Sequence, residues 1–98
     1  MMERRAHPRR VVNIPAMILG VANPNDRKSA TIIDMSEEGA QLQMDREFKL
    51  PRRVWLLELE NHNVYDCEVR WLRGTQIGVQ ILDMVDRSHR RKIVKAVA

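Results

Sequence analysis

From Tyr65 to Trp71 the chain alternates strictly. Tyr65, Cys67, Val69 and Trp71 are apolar, and Asp66, Glu68 and Arg70 between them are charged. A period of two fits an extended strand with one buried and one wet face. The same period recurs where Ala40, Leu42 and Met44 alternate with Gln41 and Gln43, and where Ile77, Val79 and Ile81 alternate with Gly78 and Gln80. Trp55, Leu57 and Leu59 alternate with Leu56, Glu58 and Glu60, and two apolar runs, residues 14–22 and 29–34, come earlier. Turn chemistry separates the runs: Asn23-Pro24-Asn25-Asp26, Leu50-Pro51, Asn61-His62-Asn63 and Gly74. Six short strands joined this way pair mostly antiparallel and favour a small barrel or sandwich, where closure protects the sheet edges.

From about Asp83 the period lengthens. Val85, His89, Ile93 and Val97 fall at helical spacing, while Arg87, Arg90, Arg91 and Lys95 lie mostly elsewhere. Asp83 or Asp86 can cap the helix, and the cations near its end suit the negative pole of its dipole. With 98 residues there is room for one core. Residues 1–12 read as a basic N-terminal arm, and residues 13–98 as the barrel with its C-terminal helix.

The formal charge of +4 is unevenly spread: +3 over residues 1–12, −4 over 13–86 and +5 over 87–98. An acidic body with basic ends is unlike a nucleic-acid-binding face, so neither DNA nor RNA is expected as a partner. No apolar run approaches the roughly 20 residues that span a bilayer, and no signal-type apolar stretch follows the arginines. The expectation is a cytoplasmic chain with no membrane insertion. The single Cys67 excludes an internal disulfide, and His7, His62 and His89 lack ligand spacing, so no metal site or cofactor is expected. No nucleophile is paired with a base, and no catalytic residue is assigned.

Two motifs remain. The first is Arg5-Ala6-His7-Pro8-Arg9, flanked by Arg4 and Arg10. Planar guanidinium forks on Arg5 and Arg9 can grip a phosphate or the O6/N7 edge of guanine, and Pro8 stiffens the link between them. Arg4, Arg10 and His7 are further candidates. The second is Asp34-Met35-Ser36-Glu37-Glu38-Gly39. The Asp34 carboxylate can accept from the N–H groups of a guanine, Ser36 can donate or accept beside it, and Gly39 permits a close backbone approach or a positive φ. Asp, Ser and Gly are also ordinary turn residues, and arginines are common in a solvated terminus. Taken together, the motifs suggest a receptor for an anionic nucleotide. Tyr65, Cys67, Trp55 and Trp71 read as core, with Trp71, near a barrel rim, a further candidate for stacking on a base.

In the order and spacing of these motifs the chain resembles the PilZ domain, the bacterial receptor module for cyclic di-GMP. The likeness spans nearly the whole chain. It rests on the RxxxR arm (Arg5 to Arg9), the DxSxxG turn (Asp34 to Gly39), and Cys67-Glu68-Val69-Arg70-Trp71 followed by Ile77-Gly78-Val79-Gln80-Ile81. The resemblance implies an all-β, six-stranded antiparallel barrel with a short C-terminal α-helix. It implies that Arg5 and Arg9 contact phosphates and guanine edges while Asp34, Ser36 and Gly39 hold a guanine from the barrel side. The arm would wrap the barrel mouth on binding and present a surface to an effector protein, with the domain a monomer or homodimer. The alternative is an interaction module of the same fold that works without nucleotide.

Overall fold

A computed structural model describes residues 10–23 and 25–97. Six strands, β1 (Arg10–Gly20), β2 (Arg27–Met35), β3 (Gly39–Met44), β4 (Arg53–Glu58), β5 (Val64–Arg73) and β6 (Gln76–Met84), precede one helix, α1 (Arg87–Val97). All pairings are antiparallel, and the sheet closes in the order β1-β2-β3-β6-β5-β4. Of the barrel and the sandwich that the alternation allows, the chain forms the barrel, as the resemblance implied. Gly74, at φ +62°, makes the tight connection between β5 and β6.

The alternation sorts side chains into two cores. Inward residues Ala16, Ile18, Ile32, Leu42, Met44, Val54, Leu56, Cys67 and Ile77 fill the barrel. Leu19, Trp55, Leu57 and Val64 point outward and are covered by Ile93, with Met17, Val85, Val94 and Val97 around them. Both faces of β1 and β4 are therefore buried, which is why Ala16–Leu19 and Val54–Leu57 are unbroken apolar runs. Asp86 caps α1, its Oδ1 accepting from the His89 N–H at 2.9 Å. The His89 ring meets Trp55 edge-on, 5.3 Å between centroids.

Because α1 covers β1, β4 and the first residue of β5, the outer faces of β2, β3, β6 and the rest of β5 stay open. Two bulges decide what they display. In β2, Ile32 faces Leu42 and Asp34 faces Gln41, so two steps on β2 match one on β3. In β5, Val69 faces Val79 and Trp71 faces Gly78, again two steps against one. Each bulge inserts one residue and reverses the in–out phase beyond it. Without them Asp34 would share the inward face of Ile32, and Trp71 that of Val69. The expectation that Trp71 belongs to the core is thereby corrected: it lies outside the barrel and is 37% exposed.

Candidate functional site

The bulges create a single row on the outer face. Asp34 is the register partner of Gln41, Gln41 of Gly78, and Gly78 of Trp71, across β2, β3, β6 and β5. Three strand spacings make this row about 14 Å long. It forms the floor of a groove of about 580 Å³, also lined by Glu38, Gly39, Arg70 and Gln80. A carboxylate stands at one end, an indole at the other and an amide between them.

Two glycines make the floor. A Cβ on Gly78 would fall 2.1 Å from the Trp71 Nε1, so the indole lies directly on the glycine. A Cβ on Gly39 would fall 2.5 Å from the backbone oxygen of Val79, so β3 and β6 approach each other closely there. Of the two roles open to Gly39, the structure selects close approach, since its φ is not positive. The guanidinium of Arg73 sits 5.4 Å from the Trp71 ring centroid.

The wall beside Trp71 is an ionic network. Arg70 donates to Glu68 Oε1 at 2.9 Å and to Gln80 Oε1 at 3.0 Å. Arg52 donates to Glu68 Oε2 at 2.7 Å. Hydrogen bonds from Arg52 and Arg70 hold the Glu68 carboxyl below the usual carboxylate range. The described part of the groove carries Asp34, Glu38 and an Arg70 already engaged by Glu68. Among the described residues, its lining carries no net positive charge.

The β2–β3 turn closes on itself. The Ser36 N–H donates to the Gly39 carbonyl at 2.9 Å, and Ser36 Oγ accepts from the Glu38 N–H at 3.3 Å. Asp34 and Gly39 face the groove, whereas Ser36 lines a neighbouring cavity of about 800 Å³ at the barrel mouth, together with Arg10. Arg10 is the first residue of β1 and pairs with Met35, one residue before Ser36 of this turn. Arg4, Arg5, His7 and Arg9 lie outside the described residues. At the bottom of the mouth the Tyr65 hydroxyl donates to the buried Glu58 Oε2 at 2.6 Å. Burial, then that hydrogen bond, pushes the phenol up to about 12. Burial likewise pushes the Cys67 thiol up to about 12, which keeps it protonated at neutral pH.

Sequence reasoning picked out Asp34, Gly39 and Trp71 but missed Gln41, Arg70, Gly78 and Gln80. Gly78 carried a signal, because a glycine inside an alternating strand marks a place where something lies against the backbone. Among the described residues, no three potential metal-ligating side chains converge, and no helix is long and apolar enough to cross a membrane.

The fold is a small closed β-barrel domain with a groove on its open outer face. The sequence profile of the PilZ domain matches residues 3–98, and the chain belongs to that family of cyclic di-GMP receptor and adaptor domains. The structure of the Bacillus subtilis inhibitor of motility (MotI/DgrA) is similar at a TM-score of 0.66 and 11% identity, over 98% of this chain and 51% of that one. At that identity the likeness shows a shared fold, and this chain spans about half the length of that structure. Among curated protein sequences none matches significantly.

Proposed function

We propose that this domain binds cyclic di-GMP and passes the signal to an effector protein through its arm. The reading is carried by the Asp34–Gln41–Gly78–Trp71 row beside the point where the arm joins the sheet. Asp34 accepts from a guanine edge, and Trp71, fixed on Gly78, offers its ring to a base. Phosphate neutralisation falls to the arm, because the groove itself is not cationic. Arg9 and Arg5 precede Arg10 by one and five residues, which keeps both within about 18 Å of the Arg10–Met35 pair. Arg4, His7 and Arg10 are the supporting contacts on that side, and Ser36 and Gly39 set the turn against which the ligand lies. The ligand orders the arm to the extent that it binds the closed form better than the open one, and the ordered surface is what the effector reads.

Calorimetric titration of cyclic di-GMP into the protein tests this, with GTP and the Arg5→Ala/Arg9→Ala variant as controls. Saturable binding by the wild type alone, selective over GTP, is expected. No heat at several temperatures together with an unshifted melting point would refute the receptor reading in favour of a nucleotide-independent interaction module.

A further inference from the structure

The helix carries a second, unrelated feature. α1 contains five cations and no acid. Arg87, Ser88, Arg91, Lys92 and Lys95 are all exposed and make up the half of the helix that faces away from Ile93. Arg90, nearer the barrel, donates to Asn63 Oδ1 at 3.0 Å. Among the described residues, no hydrogen bond or ion pair holds the side chains of Arg87, Arg91, Lys92 or Lys95. On the barrel, Lys28, Arg52, Arg53 and Arg70 are each bonded to a carboxylate, and Arg27 donates to the Val97 carbonyl at the end of the helix.

The bare stripe works against the helix. Arg87 occupies the first turn, where the dipole disfavours a cation. Arg87 and Arg91, then Arg91 and Lys95, are like charges four residues apart, a destabilising spacing. Nothing in the packing of α1 requires this arrangement.

We infer that the outer face of α1 is a docking surface for an acidic segment of a partner protein. Arg87, Arg91 and Lys95 form a row about 12 Å long, matching carboxylates spaced one helical turn apart on a partner helix. Arginine forks suit carboxylates in particular. The face has no exposed aromatic residue to stack on bases and no large apolar residue to enter a bilayer. Asp83 and Asp86 stand exposed at its N-terminal end and repel a polyanion that extends past the helix, so a short acidic segment seated along Arg91 and Lys95 is the better match. This inference does not depend on nucleotide binding.

The test is fluorescence anisotropy of a labelled alanine-based helical peptide with glutamate at every fourth position, titrated with the wild type, with Arg91→Gln/Lys95→Gln and with the charge-matched Arg46→Gln/Lys49→Gln. The helix variant is expected to bind about fivefold more weakly, the effect of losing two exposed ion pairs, with binding by the barrel variant unchanged. Its melting temperature should be unchanged or slightly raised. No binding by the wild type, equal losses in both variants, or tighter binding of duplex DNA or phosphatidylglycerol vesicles at the same salt would each overturn the inference.

Discussion

Gly78→Ala isolates the contact on which the groove is built. The new Cβ would sit 2.1, 2.3 and 2.8 Å from Trp71 Nε1, Cε2 and Cδ1, so the ring must leave its place. Trp71 is 37% exposed and therefore buries about 150 Å² of a large side chain, roughly 4 kcal/mol at 25 cal/mol per Å². A displaced indole recovers part of that elsewhere on the sheet, leaving an expected loss of about 1–3 kcal/mol. Opposing this, Gly→Ala restricts the unfolded chain and stabilises by about 0.4–1 kcal/mol wherever the backbone tolerates it, as it does at Gly78, whose φ is not positive. The decisive assay is a double-mutant cycle in urea. With Trp71→Ala already present, Gly78→Ala should become neutral or stabilising, because its clash partner is gone. The chain has two tryptophans, so two indole N–H resonances report the ring directly, and the Trp71 signal should move in Gly78→Ala while that of Trp55 stays. An equal loss in both backgrounds would refute the reasoning, since the cost would then lie in the strand and not in the indole. In cyclic di-GMP titrations the single variant should bind about 5–150-fold more weakly, the range for removing one stacked base.

Gly39→Ala drives a Cβ against the rigid backbone of β6 and should destabilise by more than Gly78→Ala, as read by thermal melting, with no rescue from Trp71→Ala. Tyr65→Phe leaves the buried Glu58 carboxylate without its donor, an expected loss of about 1–3 kcal/mol in urea titration that Glu58→Gln should largely remove. The raised Tyr65 value means that the folded state holds the phenol proton more tightly than the unfolded chain. Stability from this group is therefore complete below about pH 10 and is lost as pH rises towards about 12, which ultraviolet titration of tyrosinate alongside circular dichroism will follow. Asp86→Ala removes the cap of α1 and should cost about 1 kcal/mol by thermal melting.

The barrel was legible because period two is written directly in the order of apolar and polar residues. Cys67, Leu42 and Ile77 announce an inward face as soon as their neighbours are polar. The unbroken Ala16–Leu19 and Val54–Leu57 runs foreshadow the strands that carry the helix. The groove was less legible. Asp34 and Gly39 stood out as turn chemistry, but Trp71 looked like core because the alternation through Cys67 and Val69 points inward. A bulge changes phase without changing composition, and no residue type marks Arg70 as the inserted position. Gln41 and Gln80 read as ordinary solvent-facing residues until the register set them beside Asp34 and Gly39.

The same register divides the proposed labour between two parts of the chain, with a consequence for salt dependence. On the barrel the groove balances Asp34 and Glu38 against an Arg70 already held by Glu68, so it has little attraction for a dianion at a distance. Base recognition by carboxylate, amide and indole is short-range and largely insensitive to screening, whereas phosphate recognition by arm arginines is weakened by salt. Raising ionic strength should therefore weaken cyclic di-GMP binding in the wild type, and the Arg5→Ala/Arg9→Ala variant should retain little of that dependence in whatever weak binding remains. Trp71→Ala should do the reverse, lowering affinity at every salt concentration while leaving the slope unchanged. Equal slopes in all three proteins would mean that the arm does not contact the phosphates, and the division between arm and groove would fall with it.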